Sequence, residues 1–217
     1  MGCVPREIVR RIESQMKRVR VNIQSKVFDL FGVRTANFKR HMENCGLTLR
    51  LYRLSDLPML RSLFTPEIFL ETSGFELKVS SLLGFYKWLK ATFQMVYVIE
   101  VEENGGHKTV GFAGLYNMKI GQSLWLSLAI FNPKDRKRGY GEQVLGLLLD
   151  HFQKNGAAET VYAEVLKTNV PSLCFLRKLG FEVSGCYEDS FILEKRSKVE
   201  SEEALVNLNW NPISMQT

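Results

Sequence analysis

A chain of 217 residues with 45% hydrophobic and 24% charged side chains has the balance of a globular protein, long enough for one well-buried core and short for two. No apolar run approaches the roughly 20 residues that a membrane-spanning helix needs, and the basic, amphipathic start lacks a compact apolar signal core, so a cytoplasmic protein without a membrane partner is expected. The net charge of +6 fits a nucleic-acid partner, an acidic cosubstrate or plain solvation of helix faces, and does not separate them.

From Pro5 to Phe31 the apolar residues Ile8, Ile12, Met16, Val19, Ile23, Val27 and Leu30 recur every three or four positions, which predicts a long amphipathic helix ending at Gly32. Its stripe needs a partner, either the domain that follows or a second copy of the chain in a homodimer; local packing favours the first. Residues 1–46 are therefore read as a helical extension, and 47–197 as the domain. Leu47 to Leu54 alternates like a strand after a polar link around Asn44 to Gly46, and Ser55 or Asp56 can cap a short helix with Pro58 in its first turn. An aromatic connection runs from Phe64 to Phe75, with Glu67, Glu71 and Glu76 nearby. A helix over Ser81 to Phe93 puts Leu82, Phe85, Tyr86, Leu89 and Phe93 on one side.

Met95 to Val101 and Thr109 to Asn117 are strand-like and flank Glu103-Asn104-Gly105-Gly106, a strong hairpin signal. A third strand, Leu124 to Phe131, follows Gly121. The order then becomes helix, strand, helix, strand: Gly141 to Asn155, Thr160 to Leu166, Pro171 to Leu179, and Phe181 to Tyr187 with a hairpin partner in Ser190 to Lys195. An antiparallel start followed by crossovers implies an α/β domain with a mixed sheet. The tail, 198–217, receives no role.

Cys3, Cys45, Cys174 and Cys186 form no C-x-x-C pair, and His41, His107 and His151 are scattered, so no metal site is expected. Met1-Gly2-Cys3 is not read as a lipidation signal because Arg6 stands where a myristoylation motif wants Ser or Thr.

The stretch with chemical content begins where the Leu124 to Phe131 strand runs through Asn132-Pro133-Lys134-Asp135 into Arg136-Lys137-Arg138-Gly139-Tyr140-Gly141 and an amphipathic helix. Glycines that let an anion approach backbone N–H groups, a helix N-terminus and three basic residues make an anion cradle. About thirty residues further on stands Asn169-Val170-Pro171-Ser172, then a helix, then Gly180-Phe181. Asn169 alone reads as a helix cap and Gly180 alone as a helix stop; the pair of segments in this order is more specific.

Arg136-x-x-Gly139-x-Gly141 resembles the R/Q-x-x-G-x-G/A pyrophosphate loop of the GNAT N-acetyltransferase superfamily, and Asn169-x-x-Ser172 through Leu179-Gly180-Phe181 resembles its second signature. The resemblance covers roughly Leu47 to Lys195, and within the superfamily it is similar to the branch of the ribosomal-protein N-terminal acetyltransferases. It implies a GNAT acyl-CoA N-acyltransferase fold with an extra N-terminal helix, in which the strands ending near Phe131 and Leu166 splay apart to admit acetyl-CoA. It also implies that Ala129, Ile130 and Phe131 meet the pantetheine arm, that the loop of Arg136, Lys137, Arg138, Gly139, Tyr140 and Gly141 holds the diphosphate, and that Asn169 and Ser172 meet the thioester end.

The implied activity is transfer of an acetyl group to a primary amine by direct attack in a ternary complex. Two features depart from the family. The strand where relatives often carry a glutamate base reads Leu124-Trp125-Leu126-Ser127-Leu128, and Leu176 stands where many carry a tyrosine acid. Glu164, on the next strand, is the candidate base, acting through water, beside a bland role as a solvated strand residue. Ser172 is the hydroxyl that the motif puts near the thioester sulfur, beside a bland role in the first helical turn. A site without an obvious carboxylate favours an amine of low pKa, and α-amines titrate near 7.7–8.0 against about 10.4 for lysine, which points to a protein N-terminus. Acetylation of an aminosugar or another small amine is the alternative within enzymes; a non-catalytic acyl-CoA-binding or nucleic-acid-binding module is the alternative outside them.

Overall fold

The computed structural model describes residues 39–65, 67, 68 and 81–197. The helix expected over Pro5 to Phe31, most of the aromatic connection after Phe64, and the tail lie outside the described residues.

The first hairpin pairs β1 (His41–Asn44) with β2 (Leu47–Leu51) across Cys45 and Gly46, at φ 47° and 76°. Two left-handed residues give the tight turn whose twist suits antiparallel strands. The polar link read from the sequence is this turn. β1 is an added edge strand in which only Met42 is buried, too weak an alternation to be legible.

A 3-10 turn (Leu54–Asp56) leads into α1 (Leu57–Leu63). Asp56 starts this helix, yet its carboxylate turns back to accept from Arg50 Nη1 at 2.7 Å and from the Arg53 N–H at 2.6 Å. Arg50 also reaches Glu100 at 2.7 Å, so one guanidinium ties the start of α1 to the sheet. Burial pushes the Asp56 carboxyl up, but the hydrogen bonds from Arg50 and Arg53 outweigh it and hold the group below the usual carboxylate range. In α2 (Leu82–Thr92) the Ser81 hydroxyl accepts from the Gly84 N–H at 3.0 Å, a cap worth about 1 kcal/mol.

β3 (Met95–Glu103) and β4 (Gly106–Lys119) turn at Asn104 and Gly105, both at positive φ as the hairpin signal requires, and β5 (Gln122–Ile130) continues the meander. A second 3-10 turn (Pro133–Asp135) precedes α3 (Tyr140–Lys154); then come β6 (Ala158–Leu166), α4 (Val170–Lys178), β7 (Glu182–Cys186) and β8 (Ser190–Arg196). The strands form one sheet in the order β1-β2-β3-β4-β5-β6-β8-β7. Every neighbouring pair is antiparallel except β5 and β6, the mixed architecture expected from meander followed by crossover.

Strand alternation sends side chains to two cores. On one face α1 and α2 bring Leu60, Phe64, Phe85 and Leu89 onto Val96, Val98, Phe112 and Phe131. On the other, Val144, Leu145, Leu148 and Phe152 of α3 and Leu176 of α4 cover Leu49, Ile99, Leu126, Val161 and Leu193. Each fully buried large side chain contributes about 1.5–3 kcal/mol, so both helical layers are firmly held. Gly114 is required because a Cβ there would stand 2.5 Å from the ring of Phe93, which closes over β4.

The described chain begins under a clamp. The Lys39 N–H donates to His151 Nε2 at 3.0 Å, and the Tyr97 hydroxyl donates to the Lys39 carbonyl at 3.1 Å. An accepting Nε2 requires the other ring nitrogen to carry the proton of a neutral imidazole. Burial, reinforced by the charge of Lys39, lowers the His151 pKa and favours that form.

Candidate active site

β5 and β6 pair from Gln122 opposite Ala158 to Trp125 opposite Tyr162, and there the ladder stops, although β5 continues to Ile130 and β6 to Leu166. The strands thus open into a gap. The Phe131 N–H donates to the Val110 carbonyl at 2.9 Å, which sets the alternation along this strand. Leu126, Leu128 and Ile130 accordingly turn their N–H and C=O groups away from β4 and toward the gap, while Ala129 and Phe131 direct theirs to β4. The Ile130 carbonyl accepts from Arg136 Nε at 3.1 Å.

The loop after β5 bends through two left-handed residues, Lys137 at φ 61° and Gly139 at φ 83°. Gly139 is the N-cap of α3 and has no side chain to satisfy the first-turn N–H groups, so they remain available to an anion. The three basic residues are not equivalent. Arg136 holds the end of β5, Lys137 is exposed, and Arg138 lies 3.5 Å from Asp135 and 5.3 Å from the centre of the Tyr140 ring. Asp135 is only 3% exposed and also accepts from Lys108 at 2.9 Å, which fastens the loop to the β3–β4 hairpin. Gly141 answers a packing demand as well: a Cβ there would lie 3.3 Å from Phe175 Cζ and 3.9 Å from Leu128 Cδ2, so glycine lets α3 approach α4 and β5.

At the start of α4, Asn169 Oδ1 accepts from the Ser172 N–H at 3.2 Å, the helix-cap role open to it from sequence. Ser172 is partly buried in that first turn, and Leu176 is buried in the core beneath α3 and α4. Gly180, at φ 80°, ends the helix.

Glu164 projects on the opposite face of the sheet, the α1–α2 face, beside the gap. It is exposed and accepts from the Ser190 hydroxyl at 2.6 Å. Tyr116 of β4 and Tyr187, between β7 and β8, both have phenols pushed up by burial and further by the negative charge of Glu164. One carboxylate, two protonated phenols and a hydroxyl thus converge from four parts of the sequence. Sequence reading named Glu164 and missed its neighbours, because only the register of β4, β6 and β8 brings them together. Among the described residues no three His, Cys, Asp or Glu side chains group as metal ligands, and no helix is long and apolar enough to cross a membrane.

A gap between parallel strand ends, a glycine-capped helix N-terminus and a carboxylate thus stand in one region of the fold. Known proteins agree with that geometry. The family profile described as Acetyltransferase (GNAT) domain matches residues 46–182. Curated protein sequences offer no match. Among solved structures, the chain is similar to the RimL ribosomal L7/L12 alpha-N-protein acetyltransferase in complex with coenzyme A, at 16% identity and TM-score 0.61 over 70% of this chain and 95% of that one. It is also similar to the Salmonella typhimurium acetyl transferase that modifies the N-terminal serine of L7/L12, at 15% identity and TM-score 0.59 over 71% of this chain and 96% of that one. A spermidine N-acetyltransferase from Vibrio cholerae, in complex with CoA and spermine, shares 18% identity at TM-score 0.59 over 70% of this chain and 96% of that one. Identities this low carry the fold rather than the substrate. With the profile spanning most of the chain, the protein belongs to the GNAT acetyltransferase family and is an acyltransferase.

Proposed function

We propose that this enzyme acetylates the α-amine of a peptide or protein N-terminus, using acetyl-CoA in a ternary complex. The observation that carries the reading is the position of Glu164, beside neutral hydroxyl neighbours on the face where the β5–β6 gap opens. When bound, acetyl-CoA supplies an acyl thioester, reactive enough for an uncharged amine to attack.

On the donor side, Ile130 and Leu128 offer backbone groups to an extended arm in the gap, with Ala129 and Phe131 holding the strand against β4. Gly139, Tyr140 and Gly141 present first-turn N–H groups to a diphosphate, Lys137 adds charge, and Arg136 and Arg138 keep the loop in shape. Asn169 shapes the turn that carries Ser172.

On the acceptor side, Glu164 attracts the ammonium and accepts its proton, directly or through one water, as the amine becomes nucleophilic. An α-amine has a pKa of about 7.7–8.0 and needs little help to lose that proton, which suits a single exposed carboxylate better than a lysine at about 10.4 would. Ser172 is the hydroxyl assigned to proton return at the sulfur, a modest task because a thiol of pKa near 8.5 is a good leaving group. Much of the rate enhancement then rests on alignment, worth up to about 7–11 kcal/mol in well-ordered systems.

Release of free thiol from acetyl-CoA, followed with N-terminal peptides, aminosugars and polyamines, tests the reading. Turnover with free-amine peptides and none with their N-acetylated forms is the expected result. Turnover confined to aminosugars or polyamines would replace the substrate class, and no release with any amine would remove the activity.

A further inference from the structure

Resting on the peptide N-terminal reading above, we propose that the preferred acceptor carries a large apolar side chain on its first residue, received by a ridge of aromatic rings on the α1–α2 face centred on Trp125 and Tyr162.

Tyr116, Trp125 and Tyr162 occupy neighbouring positions on β4, β5 and β6, with ring centres 6.0 and 5.2 Å apart. Phe93, at 6.0 Å from Tyr116, joins the ridge to the end of α2. Trp125 and Tyr162 form the last registered pair before the gap opens, so the ridge ends where an acyl group held between the strands would meet its acceptor.

The placement of the two central rings is unusual for packing residues. They belong to neither core and both are partly exposed, whereas the opposite face of the same strands is buried beneath α3 and α4. Two large rings stacked on a solvated strand surface leave apolar area in water that a bound group would remove.

The spacing selects the kind of acceptor. Tyr162 and Glu164 are two residues apart on one strand and point to the same side, about 7 Å from each other along it. An ammonium held at Glu164 therefore lies within one long side chain of the ridge, the geometry of an α-amino acid whose amine and side chain share a carbon. A linear polyamine would need a second unpaired carboxylate along the ridge. Glu194, opposite Tyr162 on β8, is instead paired with Arg196 at 3.0 Å.

Acetyl-CoA turnover should be measured on the full chain with peptides that share one tail and differ only in the first residue, Leu, Met or Phe against Gly or Ser, with spermidine as a separate acceptor. The expected kcat/KM is about 10-fold or more higher for the apolar starts, the size produced by burying two methylenes or more. Trp125→Ala should bring the Leu-to-Gly ratio to within about 3-fold, Trp125→Phe should retain most of it, and Tyr162→Ser should repeat the loss from the other ring. Equal turnover of Gly and Leu starts by the wild-type enzyme, an unchanged ratio in folded Trp125→Ala and Tyr162→Ser, or preference for spermidine would overturn the inference while leaving an acetyltransferase. No release with any amine would instead sink the proposed function, and the inference with it.

Discussion

The two sides of the β5–β6 gap are built on different principles. The side proposed for the donor is assembled from backbone: a strand edge, left-handed loop residues and a helix start whose N–H groups are left open by Gly139. The side proposed for the acceptor is assembled from side chains that meet across β4, β5, β6 and β8, with Glu164 among them. Backbone recognition demands glycine and short local spacing, so it leaves a linear signature. Side-chain recognition demands only that alternating residues line up across strands, and the same surface can be rebuilt from many sequences.

The sharpest break between the two sides is expected from Glu164→Gln. It should lower kcat by about 10²-fold or more while the calorimetric affinity for CoA stays near wild type, as the proposed role of Glu164 toward the acceptor requires. A parallel loss of CoA affinity would show that the two sides are not separable. Next in size is Gly139→Asp, which forces a side chain into φ 83° and sets a negative charge at the helix start. CoA affinity should fall about 10- to 100-fold, against less than about 10-fold for Arg136→Ala, whose side chain braces Ile130 and leaves the open N–H groups in place. Equal small effects from both would refute the assigned loop.

Ser172→Ala lies between the sides and sharpens the comparison. If the hydroxyl returns a proton to the thiolate, kcat falls by up to about 10²-fold with CoA affinity retained. Wild-type turnover across the pH profile would leave Ser172 with its turn-forming role alone.

The smallest effect concerns neither side. His151 has a lowered pKa in the folded chain, so the unfolded chain takes up its proton first as the pH falls below about 6.5. The stability that neutral His151 contributes is complete above that pH and is lost below it. Melting curves at pH 7.5 and 5.5 should show a drop in Tm that is smaller in His151→Gln than in the wild-type chain. An identical pH dependence in the variant would dissociate the clamp at Lys39 from acid sensitivity.

Much of the fold was legible because the segments from Met95 onward are apolar runs of strand length, continuous in β3 and β4 and alternating in β6, and carry recognisable stops at Asn104-Gly105, Gly139 and Gly180. The turn at Cys45-Gly46 carries one residue rarely found left-handed, which hid β1. The donor loop was legible as an anion cradle, but the division of labour within it was not. That Arg138 answers to buried Asp135, and that Gly141 makes room for Phe175, depends on contacts with residues far along the chain. Glu164 could be named from sequence, whereas Tyr116, Tyr187 and Ser190 could not be grouped with it until the register was known.

The short ladder between β5 and β6 also bears on how the molecule assembles. From β1 to β5 each strand pairs with its immediate predecessor; three of these steps are hairpins that close a short stretch of chain, and the step from β2 to β3 closes a long one that contains α1 and α2. Joining β6 to β5 instead requires the whole of α3 to be laid down, and β8 must then insert between β6 and β7. Contacts that close long loops form late, so the opening proposed to hold the cosubstrate lies on a seam that zips only after the β4–β5 and β7–β8 hairpins on either side of it.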